Sequence, residues 1–124
     1  DCVPYAKLKL TALALESLEL HEDGKIAVMS VTQDMLRQSG ALQEDSEGLT
    51  DYTRMVQGVE IGILLKEKKM GEVKISLRSN EYADVSNVAK RFGGGGHQRA
   101  SGCVIQAAVA EAKKLIVAAA IQAL

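Results

Sequence analysis

Four consecutive glycines, at positions 93 to 96, interrupt a chain that is otherwise rich in aliphatic residues. Each glycine held in one conformation costs roughly 0.5 to 1 kcal/mol relative to alanine, so the run costs about 2 to 4 kcal/mol of chain entropy. One glycine would explain the end of a helix, and Gly93 stands where a left-handed helix cap is expected. The other three predict that the backbone approaches something closely, either another part of the fold or a ligand.

The glycine run and the residues after it have the chemistry of an anion-binding loop. Without Cβ atoms, successive backbone N–H groups can turn inward and a phosphate oxygen can approach them. Gly94, Gly95 and Gly96 are the candidate phosphate-binding amides. His97 adds an imidazole donor, and Arg99 adds a planar fork that can bind phosphate through two hydrogen bonds. The alternatives are a flexible connector for the glycines and solvated surface positions for the two cations.

The hydrophobic pattern alternates between strand and helical periods along the chain, without an internal repeat. Strands are predicted at about 17–22 and 25–31 around the Asp23-Gly24 turn, at 59–66 and 72–78 as a second hairpin, and at 103–106. Helices are predicted at 4–16, 32–39, 47–57, 84–92 and 108–124. This alternation predicts a single α/β domain spanning residues 1–124, with a mixed sheet of roughly five strands and packed helices.

Apolar periodicity also assigns individual side chains to the core. Leu8, Ala12 and Leu15 form the predicted buried stripe of the first helix, and Tyr52 and Met55 are predicted core residues of the third. Capping residues are predicted at the helix ends: Thr32 and either Asp84 or Ser86 as N-caps, and Gly40 as a C-cap.

Polar side chains occupy the other face of strand 72–78. Lys74, Ser76 and Arg78 alternate with aliphatic residues and therefore point away from them. Arg78 stands at the carboxyl end of this strand, which is where ligands bind in open α/β sheets, shortly before the helix that leads into the glycine run. Arg78 and the neighbouring Ser79 are therefore candidate phosphate ligands, with solvated or turn-forming roles as the alternative.

Charge and motif spacing exclude several classes of function. The formal net charge of −1 argues against a protein that coats long nucleic acid by counterion release, so phosphate recognition must be local. The glycine run lacks the Lys-Ser/Thr ending of a P-loop and follows a helix instead of opening one, so neither triphosphate nor dinucleotide fingerprints apply. With two histidines far apart and no cluster of acidic ligands, no metal or other cofactor is expected within this domain.

The cysteines and the length of the apolar runs indicate the cellular location of the protein. Cys103 is predicted to be buried and Cys2 exposed, and unpaired cysteines suit a reducing cytoplasm. No apolar run approaches the roughly 18 residues of a membrane span, so we expect a soluble cytoplasmic protein without a membrane partner. The chain begins with Asp1 and no signal-peptide pattern, so we also expect it to be a piece excised from a longer chain.

A resemblance to one family is carried by ISLRSN and, shortly after it, by DVSNVAKRFGGGGHQRASGC. These stretches resemble the DHH-associated C-terminal domain of the Asp-His-His phosphoesterase superfamily. ELHEDGKIAVMSVT and EDSEGLTDYTRMVQGVEIGILLKE are further similar to its branch of bacterial oligoribonucleases that double as 3′-phosphoadenosine 5′-phosphate phosphatases. The resemblance covers nearly the whole chain. Its specific part is GGGGH together with the small-small-glycine triplet ASG at positions 100–102.

The resemblance implies that a manganese-bearing catalytic domain precedes this one and that the substrate lies in the cleft between the two. Carried over position by position, it assigns substrate binding to residues of the glycine loop and of the SLRS piece: Gly94, Gly95, Gly96, His97, Arg78 and Ser79. Arg99 occupies a variable position of the motif, so its role depends on its chemistry alone. His97 is additionally a candidate general acid, and no other catalytic residue is assigned.

The implied function is that of a substrate-binding lobe in a manganese-dependent phosphoesterase. Its ligands would be short single-stranded RNA or DNA oligonucleotides or a nucleoside 3′,5′-bisphosphate. These 124 residues alone are expected to be inactive, because the Asp-His-His motif is not among them. The alternatives are the equivalent lobe of a cyclic-dinucleotide phosphodiesterase and a non-catalytic RNA-binding module of the kind appended to alanyl-tRNA synthetases.

Overall fold

The aliphatic strands assemble into one six-stranded mixed sheet in the computed structural model, which describes residues 2–124. The strands are β1 (Glu19–His21), β2 (Ile26–Val31), β3 (Ile61–Lys69), β4 (Glu72–Ser79), β5 (Gly95–His97) and β6 (Ala100–Ile105). Their order across the sheet is β1-β2-β3-β4-β6-β5, in which β2 and β3 are parallel and all other neighbours are antiparallel. The predicted α/β class and mixed sheet are confirmed. The strand beyond the five predicted is β5, which the glycine run itself supplies.

Helices cover the two faces of the sheet unequally. They are α1 (Tyr5–Glu16), α2 (Gln33–Ser39), α3 (Thr50–Met55), α4 (Val85–Lys90) and α5 (Val109–Ile121), with a 3-10 turn at Gln43–Ser46. The larger core lies between α4, α5 and one face of the sheet, and the smaller core lies between α1, α2 and the other face of β2 and β3. Within residues 2–124, no helix combines the length and apolar character needed to cross a membrane.

The half of the sheet formed by β4, β6 and β5 is covered on one face only. Odd-numbered residues of β4 and β6 are buried against α4 and α5, whereas the even-numbered residues of both strands are partly or fully exposed. We call this uncovered side the open face; it carries Lys74, Ser76, Arg78, Ala100, Gly102, Val104, Gly95 and His97. The prediction that Lys74, Ser76 and Arg78 point away from the aliphatic core is thereby confirmed.

Local signals at the helix ends are confirmed. The Thr32 hydroxyl accepts a hydrogen bond from the Met35 N–H at 3.1 Å, and Asp84 caps α4 through the Ser86 N–H at 3.0 Å. Gly40 closes α2 with a φ of 76°. The turn of the first hairpin is longer than the predicted two residues. All three residues of the segment 22–24 have positive φ before β2 begins.

The predicted stripe of α1 is wrong. Leu8, Ala12 and Leu15 are exposed, and the helix packs on the sheet through Leu10 and Ala14. The reason is compositional, since apolar residues occur all round this helix and its period therefore does not select one face.

The predicted core residues of α3 are also misplaced, because Tyr52 and Met55 are exposed. The helix is short and turns Thr53 toward the sheet, where Gly62 lies in β3. A Cβ atom on Gly62 would stand 2.1 Å from the Thr53 Oγ1, so this glycine is what lets α3 approach the strand. The small residue thus brings α3 against β3, beside the open face.

Candidate phosphate-binding site

Different structural constraints apply at the four glycines of the run. Gly93 has a φ of 79° and terminates the α4 segment in the left-handed region, as predicted. A Cβ on Gly94 would lie 2.1 Å from the Gly102 carbonyl oxygen, and Gly96 combines a φ of 143° with close contact to β6. Gly95 has neither constraint, since a Cβ there would meet nothing within 4 Å. Three glycines are therefore required by the fold, and Gly95 is the one that the fold does not require.

Close approach of the run to β6 places His97 in line with Arg78. His97 pairs with Ala100 across the β5–β6 ladder, and Arg78 pairs with the same Ala100 across the β4–β6 ladder. Directly paired residues of antiparallel strands share a face of the sheet, so both cationic side chains rise from the open face. Two strand spacings separate them, which is about 10 Å between backbones.

The next row of the open face is a floor of small residues. Ser76, Gly102 and Gly95 lie side by side there, one row along from Arg78 and His97. A shallow depression of about 400 Å³ opens over part of this floor, and Phe92 contributes to its wall. A ligand held by the two cations could therefore lie close to the sheet backbone.

Arg78 and His97 have donors free to bind a ligand. Neither residue belongs to any ion pair found in the described chain. The Arg78 guanidinium, which is half-buried, donates one hydrogen bond at 3.1 Å to the Leu77 carbonyl. The exposed His97 side chain makes no hydrogen bond within residues 2–124. Both residues thus present positive or donating groups to the solvent above the floor.

Ser79 and Arg99 lie away from the open face. Ser79 is 2% exposed; its hydroxyl donates to the Gln98 carbonyl at 3.2 Å and accepts from the Arg99 Nη1 at 3.0 Å. Arg99 also donates to the Ala83 carbonyl. Their predicted roles in phosphate binding stay predictions, and in the structure both side chains join β4, β6 and the segment 80–83 to one another.

Glu60 is a buried carboxylate that the sequence pattern does not predict. It is 4% exposed, and its carboxylate accepts backbone N–H groups from Glu81, Tyr82 and Ala83, the last two at 2.8 Å. Burial alone would raise the pKa of this carboxyl, but the three backbone hydrogen bonds and the charge of Arg99 together hold its pKa below the ordinary value. Its one signal in the sequence is an acidic residue at the start of an apolar strand.

A second depression, of about 330 Å³, lies between α4 and α5 on the opposite side of the sheet. Its polar lining includes Asp84, Asn87, Arg91 and Gln122. Hydrogen bonds from the Ser86 hydroxyl above all hold the pKa of Asp84 below its ordinary value, so this carboxylate is ionised at neutral pH. A phosphate there would face Asp84 as well as Arg91, whereas the row of Arg78, Ala100 and His97 contains no carboxylate, which makes the open face the better anion site.

The side chains of this domain do not fit a manganese site. Nowhere in residues 2–124 do three or more His, Cys, Asp or Glu side chains come together as metal ligands. His97 has no such neighbours, and Glu60 is fully engaged with backbone donors. The chemistry available on the open face is therefore binding, orientation and proton transfer.

The profile of one protein family, described as "DHHA1 domain", matches residues 23–124. Among curated proteins, the "Bifunctional oligoribonuclease and PAP phosphatase NrnA" of Thermus thermophilus is 29% identical over 103 residues, which are 83% of this chain and 30% of that protein. The chain spans about a third of the length of the curated NrnA relatives it matches.

Two solved structures have the same architecture. An exopolyphosphatase-related protein from Bacteroides fragilis superposes with a TM-score of 0.88 and 28% identity, over 98% of this chain and 36% of that one. PggH, a pGpG-specific phosphodiesterase from Vibrio cholerae, has a TM-score of 0.63 and 12% identity, over 94% of this chain and 38% of that one, which supports the fold alone.

The Glu60 contacts predict a pH-dependent contribution to stability. Because the folded pKa lies below the unfolded value of about 4.3, the contribution is complete above that value and is lost as pH falls through the folded pKa. We expect Glu60→Gln to lower the free energy of unfolding by about 1 to 3 kcal/mol at pH 7, measured by urea denaturation. The difference from wild type should shrink below pH 4. Glu81→Gln, on an exposed neighbour, is the control; an equal loss in both variants would contradict the assignment.

The structure of the glycine run predicts that folding and ligand binding depend on different glycines. Gly94→Ala should lower the free energy of unfolding by more than about 2 kcal/mol, because its methyl group would collide with β6. Gly95→Ala should change it by less than about 0.5 kcal/mol, yet weaken binding of a phosphate ligand, because its methyl group would stand on the open face. Urea denaturation and a ligand titration of each variant test this. Equal destabilisation by both substitutions would show that Gly95 is as structural as Gly94.

Proposed function

The chain belongs to the DHHA1 domain family, and on this premise we propose that it is the substrate-binding lobe of a phosphoesterase that hydrolyses short oligonucleotides or nucleoside 3′,5′-bisphosphates. The observation that carries the proposal is the row in which Arg78 and His97 flank Ala100 on the open face. Further support comes from the Thermus relative, which is named as an oligoribonuclease and phosphatase.

Each residue of the row has a distinct part in binding. The Arg78 fork binds two oxygens of one phosphate, and the His97 imidazole donates to the same group from the other side of Ala100. Gly95 leaves room for the ligand to approach the backbone. Donors that are already positioned can stabilise negative charge that develops on the phosphate as its ester bond breaks. His97 stands at the exposed edge of the sheet, and we propose as its secondary role the donation of a proton to the leaving oxygen.

Ser79, Arg99 and Glu60 support this row from beneath. They join the end of β4, the start of β6 and the segment 80–83, as the contacts above describe. The Ser79 N–H also donates to the Arg99 carbonyl at 3.1 Å, directly beside the Arg78–Ala100 pair. We assign these residues to positioning of the phosphate ligands.

Hydrolysis requires a further part of a longer protein. The chain spans about a third of its NrnA relatives, and the described residues hold no cluster that fits a metal ion. We therefore assign the manganese implied by the family resemblance to a separate catalytic lobe. The 124 residues would bind substrate and would not hydrolyse it alone.

Substitution of Arg78 or His97 tests the proposal. Arg78→Gln and His97→Gln should each weaken binding of a 5′-phosphorylated diadenylate to this chain, measured by NMR titration, because each removes a phosphate donor. In the longer protein each should lower turnover by more than about tenfold. The melting temperature should stay near wild type, since neither side chain belongs to an ion pair and Arg78 makes a single side-chain hydrogen bond, to the Leu77 carbonyl.

Arg37→Gln is the matched control, because Arg37 is a highly exposed arginine on α2. It should leave binding and turnover unchanged. Wild-type binding and turnover in both the Arg78 and His97 variants would refute the proposed site.

A further inference from the structure

The positive surface of the open face extends beyond the row of Arg78 and His97. Lys74 lies four residues before Arg78 on β4 and faces the same side. Lys66, on β3, is its direct antiparallel partner, so the two lysines rise side by side from adjacent strands. This forms a second cationic row, with the small-residue row of Ser76, Gly102 and Gly95 between it and the first.

The lysine pair is unfavourable in the chain by itself. Like charges directly opposite on neighbouring strands destabilise a sheet. Burial, and then the charges of Lys74 and Lys68, lower the pKa of Lys66, while Glu47 acts in the opposite direction. Neither Lys66 nor Lys74 has a carboxylate within ion-pair distance in the described part of the chain. A bound anion would relieve this repulsion.

The spacing between the two cationic rows limits what can bridge them. Four residues of strand separate Lys74 from Arg78, which is about 13 Å along the sheet. The residues between them on the floor, Ser76 on β4 and Gly102 on β6, are small. Glu72 precedes Lys74 on the same strand and accepts a hydrogen bond from the Gln106 side chain at 3.5 Å, and this acidic residue ends the positive surface.

We propose that Lys66 and Lys74 form a second phosphate subsite, so that the open face holds a nucleotide chain with one phosphate at Arg78 and His97 and another at the lysine pair. The inference rests on the proposed function and selects among its ligands. A nucleoside 3′,5′-bisphosphate carries both phosphates on one ribose, whereas an oligonucleotide of two or three residues spaces its phosphates along a chain. The open face therefore fits the oligonucleotide better.

Two ligands and four variants test this. The 124-residue chain is titrated by NMR with 5′-phosphorylated triadenylate and with adenosine 3′,5′-bisphosphate. We expect Lys74→Gln and Lys66→Gln each to weaken triadenylate binding about fivefold at low salt and to change bisphosphate binding less than twofold. Each should also lower the slope of log K against log salt for triadenylate by about 0.7.

A matched control and a stability measurement separate binding from folding. Lys114→Gln removes the same charge from an exposed position on α5, on the opposite side of the sheet, and should leave both affinities unchanged. The melting temperature of Lys74→Gln should equal or exceed that of wild type, because the substitution removes a like-charge contact. A lower melting temperature would indicate a structural role for Lys74 and overturn the subsite.

The remaining outcomes distinguish the two proposals. If Arg78→Gln weakens the binding of both ligands while Lys74→Gln and Lys66→Gln weaken the binding of neither, the second subsite is wrong and the proposed function stands. An equal loss for both ligands in the lysine variants, or an equal loss in Lys114→Gln, also overturns the subsite. If wild type binds neither ligand, the proposed function fails and this inference fails with it.

Discussion

Close backbone contact between the glycine run and β6 determines the geometry of the candidate site. Gly94 and Gly96 approach β6 more closely than any residue with a Cβ atom could. This contact makes residues 95–97 a strand instead of a loop, and the strand register then sets His97 opposite Ala100. The entropy cost of the glycines is offset by an ordered edge strand whose histidine has a fixed place relative to Arg78.

Helices cover both faces of one half of the sheet and only one face of the other half, and this difference leaves the candidate site open to a ligand. On β2, and on β3 from Ile61 to Leu65, both faces are buried under helices, as is usual for parallel neighbours, and these segments stabilise the domain. The antiparallel strands β4, β6 and β5 are packed on one face and leave the other to solvent. A rigid backbone there presents cationic rows at fixed spacing, which a mobile loop would not. The contacts of Glu60, Ser79 and Arg99 fix the ends of the same strands from below.

Sequence periodicity predicted the parts of the site that follow from local rules. The two-residue period of β4 puts Arg78 on the solvent side, and its alternation with buried Ile75 and Leu77 makes that assignment unambiguous. β5 has no apolar period, because two of its three residues are glycine, so its pairing with β6 could be learned only from the tertiary structure. The turn between β5 and β6 directs Arg99 away from the open face, toward Ser79 and Ala83, although Arg99 is only two positions from His97.

Other expectations failed where composition allowed more than one packing. The helix α1 is apolar on most sides, and only its docking against α2 and the sheet selects Leu10 and Ala14 over Leu8 and Leu15. Glu60 was missed because a single acidic residue in an apolar stretch gives no periodic signal, and its three backbone partners come from a distant segment.

The most direct measurement is a map of backbone amide shifts as 5′-phosphorylated diadenylate is added to the ¹⁵N-labelled chain. We expect the largest perturbations on the open face and its edge, at Gly95, His97, Ala100 and Gly102. Perturbations concentrated in the depression between α4 and α5, at Asn87, Arg91 and Gln122, would place the ligand on the other side of the sheet and refute the proposed site.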